Sequence, residues 1–217
     1  MATSKADANS VSVESIVKAA LRLLDLEGPD TFSLRRVGQS IGTSHVMILR
    51  RCGSLDGLLD ACAEHVAAGF PLITGESDWR ISMQLRFEAA YDMWAEHANL
   101  VLLMRGRAWL GENMVSRFYE PAMRELIEAG ITVQDAARVF SVLYRTTLGA
   151  VITTRANQWN PDESRNAFEK LGMDRLPTLA KVQSELDNAD SRTLFRTTLQ
   201  KILVELSRTV SPSAQAS

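Results

Sequence analysis

Apolar residues recur every three to four positions along most of the chain, and nowhere with the two-residue period of a half-buried strand. Ile16, Val17, Ala20, Leu21 and Leu24 form one stripe and predict a helix from about Val13 to Glu27, with Lys18, Arg22 and Asp25 facing away. Gly28-Pro29-Asp30 breaks it. Ser33 is a good N-cap, Leu34, Val37 and Ile41 follow at helical spacing, and Gly42 supplies a stop. Thr43 or Ser44 can cap a third helix, whose apolar positions are Val46, Ile48 and Leu49. Gly53 ends it and Ser54 caps a fourth, running from about Leu55 to Phe70 with Leu58, Leu59, Cys62 and Val66 inward. Two short helices around a glycine-containing turn make a helix-turn-helix, whose second helix can enter the major groove of DNA.

Pro71 to Ser77 is a turn-rich connector, and helices resume beyond it. One carries Trp79, Ile81, Leu85, Tyr91 and Trp94 to about His97, and a short apolar one spans Ala98 to Met104. Glu112 to Ala129 comes next, with Met114, Phe118, Met123 and Leu126 inward and Pro121 expected to kink or split it. After Gly130, Thr132 caps a long helix from Val133 to about Ala156. Its broad face holds Ala136, Val139, Phe140, Leu143, Tyr144, Thr147, Leu148 and Val151. Asn157 to Met173 is polar and reads as a loop with a helical turn. Leu194, Phe195, Leu199, Ile202, Leu203 and Leu206 mark a final helix from about Ser191 to Arg208. The fold class is therefore all-α, with nine or ten helices. The domains are 1–54, an N-terminal three-helix unit with the helix-turn-helix, and 55–217, a C-terminal helical unit that takes in the linking helix.

Charge sharpens the first of these units. Ser33 to Cys52 holds four arginines (Arg35, Arg36, Arg50, Arg51), His45 and no carboxylate, although the whole chain carries a net charge of −2. Polyanion binding is thus not a property of the composition, and any nucleic-acid contact is local to this stretch. The N-terminus has no apolar run after Lys5, and no segment reaches the length of a membrane span, so a cytoplasmic protein with no membrane partner is expected. Cys52 and Cys62 match no zinc or redox spacing and read as small apolar fillers.

Those residues resemble the DNA-binding domain of the TetR (tetracycline-repressor-like) family. Ala19-Ala20-Leu21, Leu24 and Gly28 match the first part of its pattern, and Ser33, Val37, Gly42, Ser44, Ile48, Leu58 and Leu59 the second. The chain departs from the pattern where the family grips phosphates: Leu49 stands at a tyrosine position, Arg51-Cys52 at a histidine-phenylalanine pair, and Leu55 at a lysine. The C-terminal half resembles the branch of the tetracycline repressor itself. The run from Glu128 to Ile152 is similar to that branch's long dimerisation helix and its lead-in, and Leu186 to Ser207 to its final helix. The resemblance implies that the fourth helix links the DNA reader to the effector sensor.

Candidate chemistry falls into three groups. For DNA reading, Thr43, Ser44, His45 and Met47 stand at the start of the second motif helix, where serine and histidine can hydrogen-bond base edges and methionine can touch a thymine methyl. Arg35, Arg36, Arg50 and Arg51 are the phosphate candidates. For a small molecule, Tyr91, Trp94, Met104, Trp109, Met114 and Phe118, with Tyr144 and Thr147 facing them, offer an apolar and aromatic chamber, and His97 and Arg105 offer polar groups. For catalysis there is no constellation: His45, His65 and His97 are far apart, and there is no His-x-x-x-His, glycine-rich phosphate loop or Gly-x-Ser-x-Gly. No cofactor or metal is implied. The expected function is a homodimeric, ligand-responsive regulator that represses from a palindromic operator and is released by a partly apolar or aromatic effector. The alternative is a protein of the same fold that no longer binds an operator and binds or converts a metabolite in its chamber.

Overall fold

The computed structural model describes residues 11–74, 76–104, 110–155, 161–172, 175–187 and 189–210. The first four helices are α1 (Val13–Glu27), α2 (Leu34–Ser40), α3 (His45–Cys52) and α4 (Leu55–Ala67). Each opens on a serine whose Oγ accepts an orphan amide of the first turn, at 3.1 Å for Ser12, 3.3 Å for Ser33, 3.2 Å for Ser44 and 2.9 Å for Ser54. Between them the chain reverses at Gly28, Gly42 and Gly53, whose φ angles of 80°, 68° and 77° suit glycine. Two further glycines are needed for contact. A Cβ on Gly38 would lie 2.8 Å from the Thr43 carbonyl oxygen, and one on Gly57 would lie 2.1 Å from that of Cys52. Those bare Cα atoms let α2 close on the turn and α4 close on the end of α3.

The body follows as α5 (Trp79–Ala95), α6 (Ala98–Met104), α7 (Glu112–Met114), a π-turn (Val115–Tyr119), α8 (Glu120–Glu128), α9 (Val133–Arg155), α10 (Pro161–Leu171), α11 (Pro177–Asp187) and α12 (Ser191–Thr209). With 112–128 counted once, the described residues form eleven helices. Helices α5, α6, α8 and α12 pack around α9. One buried core runs from Ile16 and Leu24 in α1 through Leu58 and Cys62 in α4 to Phe87, Trp94, Phe118, Leu143 and Leu199 in the body.

The proline at 121 splits its helix by widening it. Having no N–H, Pro121 leaves the carbonyl of Arg117 without its helical donor, and Arg86 Nη1 takes the acceptor at 3.3 Å. Arg86, 1% exposed, also donates to Glu125 Oε1 at 2.6 Å and to the Ile73 carbonyl at 3.3 Å, while Ser82 donates to the other oxygen of Glu125. Burial pulls the arginine's pKa down and the carboxylate beside it offsets part of that. This network fastens α8 to α5 and both to the connector after α4.

Four sequence expectations need correction. In place of the loop with one helical turn expected over Asn157 to Met173, the described part is the three-turn α10, Pro161–Leu171, and α11 follows beyond that stretch from Pro177. Proline suits the first helical position, and the described side chains of both helices are mostly exposed. Their sequences carry only short apolar stripes, Phe168 and Leu171 in α10 and Leu179, Val182 and Leu186 in α11. Leu194 is 61% exposed, because α12 buries only Phe195, Leu199 and Leu203 fully. Asp25 does not face solvent. Its Oδ2 meets His97 Nδ1 at 3.0 Å, joining α1 to the α5–α6 corner beside the bond from Asn99 Nδ2 to the Leu24 carbonyl at 2.8 Å. In α3 only Ile48 is buried; Val46 is 60% and Leu49 38% exposed.

Candidate functional site

The helix-turn-helix presents α3 outward. Ile48, fully buried, anchors its underside, and Ser44 fixes its first turn by accepting from the Met47 amide. His45, Val46, Leu49 and Arg50 share the opposite face and are all exposed. Arg51 and Arg35 are exposed, and Thr43 and Met47 are half-buried. Arg36 is ion-paired with Glu27 of α1, so part of its charge is already answered within the first three helices. Arg35 and Arg36 thus stand on α2 and the others on or just before α3, and Val46, which periodicity alone places inward, is exposed among them. Flanking polar residues at 43–45 gave a weak signal of that outward turn.

The proposed chamber residues separate. Trp94, Met104 and Met114 line a cavity of about 330 Å³ together with Leu110, Gly111 and three residues of α4: Asp60, Ala63 and Glu64. The α4 contribution was not foreseen; its only trace in the sequence is the i, i+3, i+4 spacing, on a face with two carboxylates. Tyr91 instead stacks on Phe195, ring centroids 4.4 Å apart, between α5 and α12. Phe118 sits edge-on to Phe70 and Phe87, both at 5.2 Å, and Tyr144 stacks on Phe140 at 5.8 Å. Thr147 is buried and bonds its own helix at Leu143. Helix α5 is covered on several sides, so its aromatic residues face different neighbours. His97 lies in a separate, open cleft of about 830 Å³ between α1, α4 and α5, near Lys18, Arg22 and His65. Arg105 and Trp109 lie outside the described residues.

Chemically, the cavity offers an aromatic face, thioethers and carboxylate oxygens, a setting for a partly apolar ligand held by a few polar contacts. Burial pushes the Cys62 thiol up to about 12, and its sulfur points at the Val17 carbonyl, 3.9 Å away. It is a core filler and no nucleophile. Among the described residues no cluster of His, Cys, Asp and Glu is arranged to hold a metal. No described helix is long and apolar enough to cross a membrane.

An exposed, arginine-bearing helix-turn-helix joined through α4 to a larger helical body with a partly open cavity defines the class of fold. The family described as "Tetracyclin repressor-like, C-terminal domain" matches residues 70–209, and the chain belongs to the TetR family of transcriptional regulators. It is 25% identical over 104 residues to the HTH-type transcriptional repressor DrrR1 of Streptomyces coeruleorubidus, a match covering 47% of this chain and 38% of DrrR1. The chain therefore spans well under half of that relative. A possible TetR family regulator from Streptomyces coelicolor A3(2) superposes with a TM-score of 0.76 at 26% identity, over 91% of this chain and 99% of the other. The S. coelicolor TetR family protein ActR in complex with actinorhodin gives 0.71 at 24% identity, over 91% and 97%, and so shares the fold.

Proposed function

We propose that the protein is a homodimeric repressor that releases its operator when a small molecule fills the cavity between α4, α5 and α7. Residues 1–54 serve as the reading head and 55–217 as the effector and dimerisation body. The observation that carries this reading is the placement of α4: its first turn closes on α3, and its Asp60–Glu64 face walls the cavity. Occupancy and head angle therefore meet on one helix, which a ligand can bias by binding two arrangements unequally. A second copy is expected against the outer faces of α9 and α12, where Leu194 and Val204 are 61% and 51% exposed. Two heads would then enter successive major grooves of a palindromic duplex in the cytoplasm.

The exposed Leu49 and Leu55, each at 38%, favour one competing reading: a body that keeps the cavity but has lost the operator. A gel shift with the duplex upstream of its own gene separates the two. A retarded band that competes with neither poly(dI–dC) nor scrambled duplex supports the repressor. Absence of any specific band at low salt supports the metabolite binder. Light scattering checks the assembly, which should weigh twice the 24.0 kDa chain.

A further inference from the structure

One stretch of chain touches both the cavity and two points on or beside α4. Residues 111–114 form cavity wall at Gly111 and Met114. The same stretch holds Glu64 of α4: one carboxylate oxygen accepts from the Asn113 amide, in the first turn of 112–128. The other rests directly on Gly111, where a Cβ would lie 2.0 Å from Glu64 Oε2. A few residues on, Arg117 Nη1 donates to the Phe70 carbonyl at 3.4 Å, just beyond α4, and its Nε bonds Asn113 Oδ1 at 3.3 Å. Phe118 packs edge-on against Phe70. The 111–118 stretch therefore grips α4 at Glu64 and the chain just past it at Phe70.

The far side of that stretch is fastened differently. Helix α8 is fixed to α5 by Arg86, Glu125 and Ser82. The π-turn at Val115–Tyr119 follows the Glu64 contact and itself carries Arg117 and Phe118, with the missing Pro121 donor replaced by Arg86. A widened turn next to a proline is where a helix yields, so 111–114 can shift while α8 stays.

We propose that Glu64 is a positioning residue that carries cavity occupancy to the head. A molecule wedged between Trp94 and Met114 displaces 111–114, Glu64 loses both the Asn113 amide and its seat on Gly111, and α4 is released at Glu64 while the contact at Phe70 holds. The link from α4 to operator affinity rests on the repressor reading above; the link from 111–114 to α4 does not.

The test therefore reads both links. Hydrogen–deuterium exchange is followed across α4 in the wild type, Glu64→Ala, Gly111→Ala and the double variant, with melting temperature as the folding control. Glu64→Ala and Gly111→Ala should each speed exchange in α4 about tenfold, and Gly111→Ala should add nothing once Glu64 is alanine. Unchanged α4 exchange in folded Gly111→Ala, or an undiminished effect of it in the Glu64→Ala background, overturns the proposal. Should Gly111→Ala not fold, Arg117→Gln replaces it. Faster exchange confined to the last turn of α4 supports the grip, and wild-type exchange there sinks it. On the upstream duplex the single variants should bind about tenfold more weakly by fluorescence anisotropy. If α4 loosens as stated while even the wild type ignores that duplex, the grip stands and the repressor reading falls.

Discussion

Head and body are both helical, yet they are specified in different ways. In the head and in α4, which leaves it, every helix begins at a serine three residues before the amide it caps, and three glycines with positive φ turn the chain. Local chemistry settles where each helix begins and ends, and the core then has only to choose a face. In the body, the features that matter come from residues far apart in sequence. Arg86 answers a carbonyl orphaned by Pro121, and Glu64 caps a helix that begins at residue 112. The contrast suggests that substitutions in the head act through small local increments, and those in the body through packing and shared networks.

The largest effect should come from the body. Phe118 is 1% exposed and touches Phe70, Phe87, Tyr119 and Phe140, so Phe118→Ala should cost about 3–5 kcal/mol in urea unfolding. A loss under 1 kcal/mol would mean that the aromatic cluster is not where the body's stability resides. Ile48→Ala, which empties the anchor under α3, should cost about 2–4 kcal/mol and weaken operator binding in proportion. Should the head melt separately from the body in that variant, the two regions are less coupled than their continuous core implies. Arg50→Ala should reduce the slope of log affinity against log salt by about one unit and leave sequence preference unchanged; an unaltered slope removes it from the phosphate contacts. Ser44→Ala should cost only about 1 kcal/mol, read as a lower melting temperature, because one capping bond is lost.

A chemical probe sharpens the same contrast at smaller scale. Burial raises the pKa of both thiols, that of Cys62 to about 12, so the reactive thiolate is suppressed at neutral pH and grows only as pH rises. Cys52 is half-buried and Cys62 fully buried. Iodoacetamide at pH 8 should therefore label Cys52 first, with Cys62 following only on unfolding, as mass spectrometry of digests will show. Equal labelling rates would mean that the α1–α4 packing opens readily.

The same division explains what could be read from the chain. The helix starts at Ser33, Ser44 and Ser54, the break at Gly28 and the long helix after Thr132 follow from local signals and periodicity, and all are present. The faces of α3 were less legible, since eight residues give two turns and Val46 and Leu49 look like core when only Ile48 is. Helices α10 and α11 were less legible because their apolar stripes are short, Phe168 and Leu171 in one and Leu179, Val182 and Leu186 in the other. The cavity was the least legible feature. Trp94, Met104 and Met114 were identifiable as apolar and aromatic, but nothing local distinguishes them from Tyr91 or Phe118, which fill core. Nor does any nearby pattern show that Asp60 and Glu64 of a helix counted among the head's neighbours complete the wall.

The π-turn has a consequence for how such chains change in length. A π-turn holds one residue more than an α-helix needs over the same rise. The wide turn absorbs that residue, so α7 and α8 keep a common helical register on either side of it. A one-residue deletion between Val115 and Tyr119 would close the turn to regular winding and leave Met114 in the cavity wall. Chain length can therefore vary at this one point while the wall and its contact with Glu64 stay in place.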